Sequence, residues 1–310
     1  MKIEIPGSPN RMKRFSRLIT GVVLIAAVGE IIVQLSGIVD VPIYEANNQT
    51  GYIPAPNQHG AFLRMHTWRF NEYSMEAGPF DPKPSVFNLL LVGDSIVCGG
   101  NPLNEPDRLG PQLEALTHWQ VWPICAGSWA LQNELTYLQL HPRVLEKVDA
   151  VAIVSNSGDF DEPSSWASEI THPMHRPFPG LLYVIRKYAL TSAAPPVSPA
   201  LKVARKDWQL DLHAFASSFH KSIFIFMYPD VEEVHDSRKL QKDLYGVIPN
   251  MFRQVAGAAA RIYKVADSGE WNDKLYRDEI HPTSKGNSVL ARIIKADICE
   301  TANPKMACER

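Results

Sequence analysis

Five short apolar runs limit what the body of this 310-residue chain can become. They are FNLLLV (87–92), WQVWPICA (119–126), DAVAIVS (149–155), SIFIFMY (222–228) and RIYKVAD (261–267). Each has strand length, and each is followed by a turn and a stretch of helical character. The helical stretches include LGPQLEAL, LQNELTYLQL, DWQLDLHAFASSFH and the closing TSKGNSVLARIIKADICE. Apolar strands alternating with helices predict an α/β fold with its sheet covered on both faces. The expected architecture is a three-layer α/β/α sandwich around a central parallel five-stranded sheet.

A second constraint lies at the N-terminus. LITGVVLIAAVGEIIVQLSGIV (18–39) is the one stretch long enough to cross a bilayer, spanning roughly 33 Å as a helix. Lys2, Arg11, Lys13, Arg14 and Arg17 precede it, and almost no basic residue follows before Arg64. That asymmetry predicts one N-terminal transmembrane helix, an uncleaved signal anchor with residues 1–17 in the cytoplasm and the rest outside. Glu30 and Gln34 are costly in such a span unless partnered or near the interface, and both lie toward its outer end.

Residues 40–85, rich in Pro, Gly, Asn and Gln, read as a leader that spaces the body (86–310) from the membrane and packs against it. A Pro-rich insertion covers about 160–200, with a short amphipathic helix near LLYVIRKYAL. With 45% hydrophobic and 21% charged residues the chain has material for a real core. A net charge of −2 gives no electrostatic reason to expect a nucleic-acid partner. The four cysteines form no CxxC pair, and neither a metal nor an organic cofactor is implied. Cys98 and Cys125 are expected as buried thiols, while Cys299 and Cys308 could pair in an oxidising compartment.

Ligands of open parallel sheets bind beyond the carboxyl ends of the strands, so what each strand delivers there matters most. The first delivers Gly93-Asp94-Ser95, the second Gly127, the third Asn156-Ser157-Gly158-Asp159, and the segment before the last helix Asp278-Glu279-Ile280-His281-Pro282. A serine, a histidine and an acid at one sheet edge are the parts of a nucleophilic triad: Ser95 as nucleophile, His281 as base, Asp278 as its orienter. The backbone N–H groups of Ser95 and Gly127 are candidate oxyanion donors. The other histidines, His172 among them, have no matching context and read as surface or structural. Trp68, Trp129, Trp166 and Phe178 could stack on a sugar, although aromatic residues in cores are commoner.

GDSIVCGGN and RDEIHPTSKGNSVLA together resemble the first and last blocks of the SGNH (GDSL-type) serine hydrolase superfamily, with Gly127 where its second block places an oxyanion glycine. The resemblance covers roughly residues 87–298 and implies a flavodoxin-like sheet with Ser95, His281 and Asp278 in catalytic roles. The third block departs from it: the family expects G-x-N-D, and the asparagine slot holds Gly158, leaving Asn156 as the candidate third oxyanion donor. The lead-in NQHGAFLRMHTWRFNEYS, with Arg69 and Asn71, is similar to that of membrane-anchored bacterial members associated with exopolysaccharides. That likeness implies an esterase, deacetylase or acetyltransferase for O-acyl groups of a polysaccharide or another acylated carbohydrate. It also implies an inner-membrane anchor, a catalytic domain in the periplasm and association with a polysaccharide synthesis complex. The competing expectations are a lipase or thioesterase, and a non-catalytic polysaccharide-binding or assembly factor on a retained fold.

Overall fold

Strand residues alternate between two faces, and in this chain both faces are apolar, so helices must cover the sheet twice. The computed structural model describes residues 9–190, 195–257 and 260–300. The sheet consists of β5 (Asn88–Gly93), β6 (Gln120–Cys125), β7 (Ala150–Ser155), β8 (Ser222–Met227) and β9 (Ala260–Lys264), which follow four short strands in the leader. All five pair in parallel in the order β6-β5-β7-β8-β9. One face carries Leu90, Val92, Ile153 and Ile225 against α4 (Leu131–Leu140), α7 (Trp208–Ser218) and α10 (Ile248–Ala256). The other carries Leu89, Leu91, Val154 and Phe226 against α2 (Ser95–Cys98), α3 (Leu109–Thr117) and α11 (Ser284–Cys299). The expected three-layer sandwich is present, and the ends of its five strands lie within three residues of those of the runs that predict them.

From β5 the chain moves outward to β6, then returns to place β7 on the other side of β5. The crevice at the carboxyl ends of β5 and β7 is therefore the topological switch point, the ordinary ligand site of such sheets.

The leader carries regular structure that the sequence does not signal. It contains two antiparallel hairpins, β1 (Tyr44–Asn47) with β2 (Gly51–Pro54) and β3 (Gln58–Phe62) with β4 (His66–Phe70). These strands are four or five residues long and pair only with each other, which leaves too little period to read. The first turn is set locally, with Asn47 Oδ1 accepting the N–H groups of Gln49 and Thr50, each at 2.8 Å. The leader packs on the body: Tyr52, Trp68 and Phe70 are buried, and Asn133 Nδ2 of α4 donates to Thr50 O at 3.1 Å.

Helix α1 (Pro9–Ser36) begins earlier than the apolar run suggests and ends at Ser36, before a left-handed Gly37 at φ +73°. Its Lys13–Ser36 portion is long and apolar enough to cross a membrane and is exposed over most of its length; a signal sequence fits the same description. Residue 308 is outside the described residues, and with it the expected Cys299–Cys308 pairing. The remaining short helices are α5 (Pro142–Lys147), α6 (Gly180–Val184), α8 (Val231–His235) and α9 (Ser237–Leu240).

Candidate active site

Sheet register assembles the site. Gly93 pairs with Cys125 on one side and Val154 on the other, so these three residues share a rung. Ser95, Gly127 and Asn156 each stand two residues beyond it. The turn into α2 is tight: a Cβ on Gly93 would lie 2.5 Å from Val97 Cγ2, so only glycine lets α2 fold back over its strand. Asp94 caps α2, its Oδ1 accepting the Ile96 N–H at 2.8 Å. Ser95 is left at the first helical position.

The histidine arrives from the other end of the chain. The 276–283 loop is held by Arg277 N–H donating to His281 O (2.9 Å) and Thr283 N–H to Leu275 O (2.7 Å). Tyr228 Oη, just past β8, donates to Ile280 O at 2.7 Å. A Cβ on Gly286 would come 2.3 Å from Leu275 O, so α11 can begin this close only at a glycine.

His281 Nε2 stands 2.8 Å from Ser95 Oγ, and its Nδ1 lies 2.9 and 3.0 Å from the two Asp278 oxygens. With Nδ1–H donated to the carboxylate, Nε2 is free to accept the serine hydroxyl. Partial burial by itself would raise the Asp278 carboxyl. The backbone N–H groups of His281 and Ile280, together with the His281 ring, outweigh it and hold that carboxyl below its usual range. Arg277 Nε, 3.6 Å from Asp278 Oδ2, adds a cation that the sequence does not single out. The three residues read as a triad are brought together.

Gly127 faces open space, since a Cβ there would meet only His172 Nε2, at 3.7 Å. The leader holds its loop from both sides: Tyr52 Oη donates to Gly127 O (2.6 Å), and Trp129 Nε1 donates to Tyr52 O (2.7 Å). His172 lies over the same loop, its ring centroid 3.9 Å from that of Tyr52. Burial, then the Lys187 charge, lower its pKa to about 4 against the opposing Gly127 carbonyl, so this histidine is neutral near pH 7. The sequence gives no sign of that placement.

Cys98 and Cys125 are not thiols: they form a disulfide with Cα atoms 5.6 Å apart. The bond ties the last residue of α2 to the end of β6, two residues before Gly127. Once β5 and β6 are known to be neighbours the pairing follows, because both cysteines lie at the carboxyl ends of those strands. Cys98→Ala/Cys125→Ala should cost about 2–4 kcal/mol of stability. It should also lower turnover, because nucleophile and Gly127 loop lose their tether. A thermal melt and an ester assay check this; unchanged kcat would show that the bond is structural only.

Asn156 is not placed as expected. Its Nδ2 donates to Asp94 Oδ2 (3.2 Å) and Asp159 Oδ1 (3.0 Å), and its Oδ1 accepts the Gly158 N–H (2.8 Å). Both amide hydrogens are spent on carboxylates, and the side chain is buried. The reason is beneath it, where Asp94, Asp159 and Glu134 are all buried and repel one another. Burial raises Asp94 to about 6 and pushes Asp159 and Glu134 well above their usual values.

Neither Glu134 oxygen has a hydrogen-bond partner. Its raised folded-state pKa means that stability is full at low pH and is lost as pH climbs from the usual carboxylate range through the folded value. Glu134→Gln should therefore raise Tm at pH 8 and change it little at pH 4, each kcal/mol relieved being worth roughly 2 °C. An equal shift at both pH values would sink the reading.

Trp68 and Trp129 are core residues, and Trp166 is half-buried with Nε1 donating to His172 O (2.7 Å), so no aromatic platform forms from them. Arg69 pairs with Glu105 at 2.6 Å, and Asn71 Oδ1 accepts the N–H groups of Tyr73 and Met75. Both shape the lead-in.

No protein-family model and no curated protein matches the chain. Solved structures do. A family two carbohydrate esterase from Cellvibrio japonicus is similar at 14% identity over 72% of this chain and 62% of that one, with a TM-score of 0.44. Its counterpart from Clostridium thermocellum, solved in complex with cellohexaose, is 11% identical over 72% and 66%, TM-score 0.40. A lipolytic protein of the G-D-S-L family from Veillonella parvula is 12% identical over 70% and 98%, TM-score 0.39. The chain is thus similar to carbohydrate esterases and GDSL hydrolases. Likeness at this level transfers no residue roles, and Ser95, His281 and Asp278 stand on their own geometry.

Proposed function

We propose that this chain is a membrane-anchored SGNH-type serine esterase that removes or transfers O-acyl groups, chiefly O-acetyl, on a polysaccharide or another acylated carbohydrate. One observation carries it: the hydrogen-bonded line from Ser95 through His281 to Asp278 at the switch point of the sheet. Ser95 Oγ attacks the ester carbonyl while His281 Nε2 takes its proton, and Asp278 stabilises the imidazolium. The N–H groups of Ser95 and Gly127 face the oxyanion. The C–O bond then breaks, the leaving alcohol takes the proton from His281, and water or a sugar hydroxyl resolves the acyl-enzyme. The carbohydrate substrate follows the resemblance of the lead-in.

The compartment has two supports. Basic residues precede the apolar run 18–39, and a disulfide beside the nucleophile belongs to an oxidising environment such as the periplasm. A reporter active only outside the cytoplasm should work when fused after residue 310; activity of a cytoplasm-only reporter there would overturn the anchor. The alternative of a non-catalytic binding factor draws on the Asn156 amide, which is occupied by carboxylates. A fluorophosphonate probe separates the two: a catalyst is labelled at Ser95 and not in Ser95→Ala, whereas a silent fold is not labelled at all.

A further inference from the structure

Glu30 has a hydrogen-bond set that its place in an apolar helix does not explain. Its Oε1 accepts the Gly180 N–H and the Gln34 amide, and its Oε2 accepts the Leu181 N–H, all at 2.8 Å. The two polar residues that weaken α1 as a span are thus the socket for the start of α6. The fit is close. A Cβ on Gly29 would stand 3.1 Å from Leu181 Cδ2, and one on Gly180 would stand 2.7 Å from Gln34 Nε2. Wherever Glu30 resides, α6 is held beside it.

That depth can be estimated along the helix. Glu30 is six residues from the end of α1 at Ser36, about 9 Å at 1.5 Å per residue. Amphipathic helices lying in a bilayer interface bury their apolar face by a similar ~5–10 Å.

The segment has the side chains for it. Phe178, Leu182, Ile185 and Leu190 are exposed, Phe178 by 82%, with Arg176 and Arg186 exposed among them. A second group is held at the same end of α1. Arg64 Nε donates to Leu35 O (2.8 Å) and Leu63 N–H to Gly37 O (3.0 Å), and the neighbouring Met65 is 68% exposed. Most of the large apolar side chains left exposed outside α1, among the described residues, belong to these two segments. Scattered exposed leucines are ordinary on a soluble surface, whereas apolar residues gathered around the outer end of a spanning helix mark contact with lipid.

We propose that residues 178–190 and the 63–65 hairpin tip form a second membrane contact that lies in the outer interface of the bilayer crossed by α1. Phe178, Leu182, Ile185 and Leu190 enter the acyl boundary, and Arg176 and Arg186 extend to lipid phosphates. The body is then docked on the membrane at a fixed tilt instead of swinging on a single helix. This rests on the anchor reading, and the test separates the two.

The full-length chain is reconstituted in vesicles of phosphatidylethanolamine and phosphatidylglycerol. Nitroxide labels are placed one at a time on Leu182→Cys, Leu190→Cys, Leu210→Cys and Ile25→Cys, with the unsubstituted chain as labelling control. Leu182, Leu190 and Leu210 are exposed, so the changes leave the packing intact, and Leu210 lies on α7, away from α1. The ratio of oxygen to water-soluble nickel-chelate accessibility should be several-fold higher at 182 and 190 than at 210, and highest at 25. Labels at 182 and 190 as aqueous as that at 210, with 25 deep in lipid, would overturn the docking and spare the anchor. An aqueous label at 25 would overturn both.

Discussion

Ser95→Ala should lower kcat for a small acetyl ester by ~10³ or more, and His281→Ala should do the same. The size follows from how the pair works. A serine hydroxyl is a poor nucleophile until its proton has somewhere to go, and the acceptor 2.8 Å away is His281 Nε2. Removing either partner removes the same step, so the double variant should be little worse than either single one. Asp278→Asn should be damaging by a smaller factor. An asparagine oxygen can still accept the His281 and Ile280 N–H groups, but it cannot stabilise the imidazolium, and Asp278 is open enough for water to replace part of its charge. Purified full-length variants assayed on one ester decide this. Near-wild-type turnover of Ser95→Ala or His281→Ala would remove that residue from the mechanism.

The same edge of the sheet shows why some of this site could be read from the sequence and some could not. Ser95, Gly127 and His281 are legible because each follows an apolar strand or precedes a helix, and parallel sheets collect such positions at one end. Their relation is one of topology. The Cys98–Cys125 bond needs one more fact, that β5 and β6 are neighbours, which no local pattern supplies. Tyr52 and His172 are hidden more deeply. They reach the Gly127 loop from a four-residue hairpin strand and from the Pro-rich insertion, segments whose burial is set by what they lie on and not by their own period. Glu30 is visible as an anomaly, and its explanation is 150 residues away in the insertion. A local anomaly shows that a partner exists without naming it.

Asn156→Ala should lower stability more than it lowers intrinsic turnover, with a deficit that grows as pH rises. An oxyanion donor would behave in the opposite way: its loss would cut kcat by about 10²–10³ with KM and Tm nearly unchanged. The structure favours the first pattern because the amide bridges Asp94 and Asp159, two buried carboxylates that would otherwise face each other. Alanine leaves both charged forms less well supported, and a buried carboxylate that loses its hydrogen bond costs roughly 1–3 kcal/mol or more. The sign with pH follows from Asp94, which burial has raised to about 6. A carboxyl raised in the folded state favours folding most when protonated and loses that contribution as pH passes from about 4 through 6. Removing the amide raises Asp94 and Asp159 further. The stability gap to wild type should therefore be small at pH 4 and largest near pH 8. Asn156→Asp, which adds a carboxylate to Asp94, Asp159 and Glu134, should exaggerate the same trend. Turnover of Asn156→Ala, measured where the variant is fully folded, should then fall less than 10²-fold, the loss coming from a displaced Asp94–Ser95 turn. A larger fall in kcat with Tm unchanged at pH 8 would return Asn156 to the oxyanion hole and require its amide to leave Asp94 when substrate binds.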